Sequence, residues 1–423
     1  MNTLLRVNAF YLCVLLLGHL EFLHGQTYTN HLFQPNYKTL TIYPDGKWDA
    51  CPVIEQGSAS TVQIAFDELS HDLHRLSYRI VHCNSDWKRS ELETNEYVDG
   101  FAENDIDSSE QSVGTLTAYT HYAFHLPNDR VSLKRSGNYA VEIVDKDGGG
   151  ETLLTACFRV CESGVSLQGE VTASTDLDFK KEHQQLKLEV DASRLNPRQP
   201  LQDLQIVVEQ NRRRESAVSQ LHPDEVRDGK LFYPHESKLI FPGGNEYRRF
   251  ETTSYKYAGL NTNRVFFQTP TYHVELLPSE KRNKGYTIDK DQDGRFLIRS
   301  QEAMDPRVGA DYFWVHFSIP MDEPMLDGGF YLNGDLVQNR FDATSKLMYN
   351  FEHKAYEKEL LLKQGSYNYQ YVTMASKGGK ATVTPMEGSY WETENTYQVY
   401  VYYRPLGERY DKLVGFTEIT TAF

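Results

Sequence analysis

The chain has 423 residues, too many for one ordinary hydrophobic core, so roughly two to four domains are expected. Hydrophobic residues make up 39% and charged residues 24%, a globular balance that excludes wholesale disorder. The formal net charge of −15 argues against nucleic acid, which recruits a basic face; the longest basic run, Arg212-Arg213-Arg214, sits among polar residues and reads as a solvated turn.

The N-terminus reads as a signal peptide over residues 1–25. Arg6 supplies the positive end, residues 9–18 form an apolar run too short to span a bilayer, and Gly25 precedes the expected cleavage point. Cys13 lies inside that run after Tyr11-Leu12, the wrong setting for a lipid anchor. The expected product is exported, without direct membrane insertion.

Removing the signal leaves Cys51, Cys83, Cys157 and Cys161. In CFRVC (157–161) the two sulfurs share a strand face but lie roughly 13 Å apart, too far to bridge each other. Any bridge would need Cys51 or Cys83 as the partner, and the pattern does not decide whether bridges form.

Beyond the signal, short runs alternate with period two and end in turn residues. SYRIVHC (77–83) sets Tyr78 and Ile80 on one face and Val81 and Cys83 on the other. THYAFHLP (120–127), SGNYAVEIVDKDGGG (136–150) and LLTACFRVCE (153–162) read as further strands, and the best helical candidate is one turn near 66–75. The pattern predicts an all-β chain of tandem immunoglobulin-like, early-set sandwiches, mostly antiparallel. Blocks are expected at 26–162, 163–303 and 304–423. The stretch from Asn84 to Asp107 is the longest turn-rich segment and the favoured contact loop.

In the middle block, DLQIVVEQN (203–211) is a strand, and YTIDKDQDGRFLIR (286–299) spaces Asp289, Asp291 and Asp293 before Gly294 like the start of an EF-hand loop. Position twelve is Ser300, not a bidentate acid, so the segment reads as a hairpin turn between two strands and calcium is not assigned. In the third block, GGFYLNGDLVQ (328–338) is an expected Asn-Gly hairpin and ELLLKQGSYNYQYV (359–372) two strands. The order resembles early-set sugar-binding modules, with Tyr367, Tyr369 and Tyr371 on one face. That resemblance gives an alternative carbohydrate-binding reading, set against a stripe packed inside the protein.

Chemical signals are sparse. His71, His74 and His82 with Asp72 lack a second ligand pair, and no nucleophile elbow or phosphate loop occurs. Asp322-Glu323 has no defined geometry. No catalytic, cofactor-binding or metal residue is assigned, and no enzyme is expected.

YRIVHCNSDWKRSELETNEYVDGFAENDI (78–106), YTHYAFHLPND (119–129), SGNY (136–139), FPGGNEYRRFE (241–251), FYLNGDL (330–336), LLLKQGSYNYQYV (360–372) and EGSYWETENTYQVYVYYRPLGERYDKLVGF (387–416) follow one another along the mature chain. Together they resemble the periplasmic plug proteins of the Bacteroidota type IX secretion system. The resemblance implies a non-enzymatic protein of the periplasm without cofactor. Its implied partner is the outer-membrane β-barrel translocon, with other translocon-associated periplasmic proteins beside it, and its role is to close the idle channel.

Overall fold

Three hydrophobic cores organise the computed structural model, which describes residues 26–72 and 74–422. The expected signal peptide lies outside the described residues. The fold is all-β, and nearly every strand pairing is antiparallel. The parallel pairs are Val53–Glu55 with Thr152–Cys161 and Thr271–Leu276 with Tyr312–Pro320.

The first sandwich sets a sheet built on Leu76–Cys83, Gly137–Asp145 and Thr152–Cys161 against one of Tyr37–Pro44, Val62–Glu68, Thr120–Leu126 and Ser109–Gln111. Period-two alternation explains its core. Tyr78 and Ile80 enter the main core while Val81 and Cys83 enter a second cluster with Trp87 and Tyr28, so Leu76–Cys83 is buried on both faces. The expected helical turn near 66–75 is instead the end of the strand Val62–Glu68 followed by bends; cross-strand pairing to Thr120–Leu126 overrides local propensity.

The second core joins residues 186–241 to residues 397–414. Leu204–Gln210 pairs with Thr396–Tyr403, which pairs with Lys412–Thr420; this sheet faces one built on His183–Asp191. The third core runs from Phe250 to Met386. The expected boundary at 162/163 falls between the first and second cores. At 303/304, members of the third core stand on both sides, and Thr271–Leu276 pairs across it with Tyr312–Pro320.

Two segments carry the chain between the second and third cores, and they are hydrogen-bonded to each other. FPGGNEYRRFE leads out, and EGSYWETEN leads back. Tyr390 N–H donates to Gly244 O at 2.8 Å, and the Asn245 amide donates to Glu387 O at 2.8 Å. At Gly243 a Cβ would stand 2.0 Å from the Tyr390 carbonyl oxygen, so only glycine permits this approach.

The Asn-Gly hairpin expected at 328–338 does not form. Gly329–Asn333 pairs instead with Gly365–Met374, and Asp335–Val337 makes a 3-10 turn. Asn333 is fully buried, and Gly334 packs against the Asn368 carbonyl.

Candidate functional site

The three cores meet around a cavity of about 690 Å³, within the size range of small-molecule sites. Thr39–Tyr43 and Trp48–Cys51 of the first sandwich approach it, with Val207 to Arg214 of the second and Arg295 to Ile298 of the third. Its character is set by arginines.

The strand Leu204–Gln210 ends in a tight turn, with Asn211 at φ 52° and Arg212 at φ 59°. Asn211 pins the turn through the Asn395 side chain at 2.7 Å, and Arg212 N–H donates to Gln398 Oε1 at 2.8 Å. The Arg212-Arg213-Arg214 run, expected to be a solvated turn, is instead turned against the protein. Arg212 reaches the Asp49 carbonyl at 2.6 Å, Arg213 is buried on Glu215 at 2.7 Å, and Arg214 lies 3.6 Å from the Trp87 ring centroid and donates to Tyr28 O at 2.7 Å. Charge adjacency in a turn does not reveal that the turn points inward; the sequence offers no signal for it.

Two further guanidiniums join them. Arg159 is buried, pairs with Glu209 at 2.5 Å and lies 3.7 Å from the Tyr400 ring centroid. Arg295, also buried, donates to Trp48 O at 2.9 Å and Ala50 O at 3.1 Å. Arg212 and Arg295, from different cores, thus grip one short stretch of the first sandwich.

The candidate calcium residues end up elsewhere in purpose. Asp293 at φ 50° and Gly294 at φ 84° make the expected turn. It is not a hairpin, because Phe296–Ile298 pairs with Gly365–Tyr367 while 286–288 forms no strand. Asp289 pairs with Arg249, and Asp291 accepts N–H groups from Tyr247 and Asp293. Burial, with Asp293 beside it, pushes the Asp291 carboxyl up to about 8. Burial also lifts Asp293 to about 6 against the pull of Thr396 and Arg212. Among the described residues no group of three or more His, Cys, Asp or Glu is arranged to hold a metal ion.

The histidines are not gathered either. His71 meets Ser112 at 2.9 Å, His74 meets Glu68 at 2.6 Å, and His82 is buried between Ser90 Oγ and Ser136 O. Burial lowers His82 to about 4. Among the described residues the four cysteines, Cys51, Cys83, Cys157 and Cys161, are free and buried. Cys83 and Cys157 sit on strands flanking Gly137–Asp145, which keeps their backbones about 10 Å apart, beyond disulfide reach. Burial pushes the Cys51 thiol up to about 11 and Cys161 to about 12, so neither is a ready nucleophile.

Tyr367, Tyr369 and Tyr371 are buried in the third core, the last two with hydroxyls on Ser279. No sugar can stack on them, which removes the residues the carbohydrate-binding alternative rested on. The Asn84–Asp107 segment, expected to be a loop, carries a helical turn at Thr94–Tyr97 and short paired strands at Val98–Gly100 and Glu103–Asp105. It is held further where Ser85 bonds Asp411 and Arg409 bonds Glu91 O and Glu96. Phe101 stays 77% exposed on it.

Residues 37–162 match the family model described as type 9 secretion system plug protein first domain. A crystal structure of a hypothetical protein from Parabacteroides merdae is similar over 94% of this chain and 100% of its own, at 42% identity and TM-score 0.92. This chain belongs to the type 9 secretion system plug protein family. An alkylpurine DNA glycosylase from Pseudomonas fluorescens, bound to DNA with an abasic-site analogue, is also similar, over 30% of each chain at 13% identity. Its TM-score of 0.16 lends it no weight. No curated protein matches. Several motifs of the family resemblance now have a physical location: FPGGNEYRRFE and EGSYWETEN are the paired crossings between two sandwiches. Among the described residues, no helix is long and apolar enough to cross a membrane.

Proposed function

We propose that this plug-family chain is a non-enzymatic periplasmic protein that binds the periplasmic mouth of the outer-membrane β-barrel translocon and closes its channel when no substrate is engaged. The family match over residues 37–162 carries the reading. The way the sandwiches are joined supports it, because a plug must resist deformation. Tyr402 Oη donates to Asn138 at 2.7 Å, Arg159 pairs with Glu209, and Lys363 pairs with Asp67 at 2.6 Å, all buried between cores. We further propose a domain plan that follows the cores. The first sandwich spans 26–162, the second combines 163–245 with 391–423, and the third, 246–390, is an insertion in the second.

The exposed Phe101 on the Asn84–Asp107 segment is the proposed point of contact with the barrel or with a neighbouring periplasmic component. The test is crosslinking of the native protein in envelope fractions, with uptake of a small impermeant dye measured after deletion. The expected results are a crosslink to the barrel and faster uptake. Neither effect in the native cell would overturn the proposal.

A further inference from the structure

The central cavity has a chemistry that closing a channel does not require. Seven Arg and Lys side chains line it against four Asp and Glu, in a chain whose net charge is −15. Arg214 and Arg295 donate to backbone carbonyls rather than to carboxylates. Three buried donors among the lining arginines, Arg159 Nε, Arg212 Nη1 and Arg295 Nε, have no hydrogen-bond partner among the described residues. Leaving a buried charged donor unmade is costly, so such donors point to a partner that completes them.

The donors lie in one region. Arg212 and Arg295 hold the carbonyls of Trp48, Asp49 and Ala50, while Arg159 stacks on Tyr400, whose hydroxyl meets the adjoining Cys51 sulfur at 3.3 Å. Beside them the wall is apolar, formed by Leu40, Ile42, Val207, Phe296 and Ile298. Guanidiniums recognise carboxylate and phosphate oxygens with paired donors, and an apolar wall takes a hydrocarbon body.

We propose that the cavity between the three sandwiches binds a small amphiphilic anion, its carboxylate or phosphate head on Arg159, Arg212 and Arg295 and its apolar body against Leu40, Val207 and Phe296. The site is independent of the plug reading, since it needs no translocon. Binding to a pre-formed interdomain site stabilises the joined state by mass action.

Trp48 and Trp87 line the cavity, so intrinsic fluorescence of the mature chain reports occupancy directly. The probes are decanoate, decyl phosphate, inorganic phosphate and decanol. Saturable fluorescence change is expected with decanoate or decyl phosphate, at least about tenfold tighter than with inorganic phosphate or decanol. Whichever of the two binds more tightly assigns the head group. Arg295→Gln and Arg212→Gln should each weaken it about tenfold with far-UV circular dichroism unchanged; if Arg295→Gln fails to fold, Arg212→Gln decides. Equal binding of decanol, unaltered binding in the folded variants, or no saturable change with any probe would overturn the proposal. So would a crystal grown with the better probe that shows water alone on the three donors.

Discussion

The first sandwich is joined to its two neighbours by buried ion pairs of opposite design. Toward the third core, Asp67 receives His121 at 2.7 Å on one oxygen and both Tyr312 Oη at 2.7 Å and Lys363 Nζ at 2.6 Å on the other. Lys363 also reaches the Arg307 carbonyl and lies 4.0 Å from the Tyr119 ring centroid. Both oxygens of Asp67 and the Lys363 ammonium are engaged there, although Lys363 and His121 also border the central cavity. Toward the second core, Arg159 meets Glu209 with one nitrogen and leaves Nε unmade, beside a cavity rich in further guanidiniums. A closed network acts as a weld. An open one keeps donors in reserve, and that difference separates a joint from a site.

Removing the charge from the weld should have the largest effect. Lys363→Met strands a buried carboxylate and is expected to cost about 3–5 kcal/mol in chemical denaturation. The double variant Asp67→Leu/Lys363→Met should recover much of that loss, because neither charge is then left alone. Arg159→Met should cost less, about 1–3 kcal/mol, since it also removes a buried donor, Nε, that already lacks a partner. Equal losses at the two joints would erase the distinction.

Acidity separates the regions by sign. Burial alone would raise the Asp67 carboxyl, but Lys363 and the His121 hydrogen bond overcome it and hold its pKa below the usual range. Its contribution is therefore present above the ordinary carboxylate pKa and lost as pH falls through the lowered one. Asp291, raised to about 8, works in reverse. The folded state binds the proton more tightly there, so stability declines as pH rises from the ordinary carboxylate pKa toward 8. Asp291→Asn should flatten that decline, by on the order of 1–2 kcal/mol between about pH 5 and 7.5 after allowance for screening. Melting curves at the two pH values would check it, and an unchanged slope would remove Asp291 from the account. The smallest expected effect is none: EDTA or added calcium should leave the melting temperature unchanged, and a large calcium-dependent rise would restore Asp289, Asp291 and Asp293 as ligands.

What could be read in advance was local. Period-two alternation places the strands Leu76–Cys83, Thr120–Leu126 and Gly137–Asp145 because each run carries its own pattern of two faces. The turn at Asp293-Gly294 was legible for the same reason, since its backbone demand is met by those two residues. Pairing between distant segments leaves no such mark. Nothing in DLQIVVEQN says that its neighbour is Thr396–Tyr403 rather than a strand nearby. Asn333-Gly334 carried a hairpin signal, yet hydrogen bonding to Gly365–Met374 prevailed over it. The cavity was hidden most completely, because Arg159, Arg212 and Arg295 come from three separate stretches and each looks ordinary in its own.

The paired crossings at Gly243-Gly244 and Ser389-Tyr390 also set an order of assembly. During synthesis the second sandwich's early strands emerge first, and Thr396–Tyr403 and Lys412–Thr420 follow only after the whole third sandwich. Until then Leu204–Gln210 has an unpaired edge, an invitation to wrong partners. A nascent chain stalled before Thr396 would therefore leave the Leu204–Gln210 edge open to chaperones and proteases.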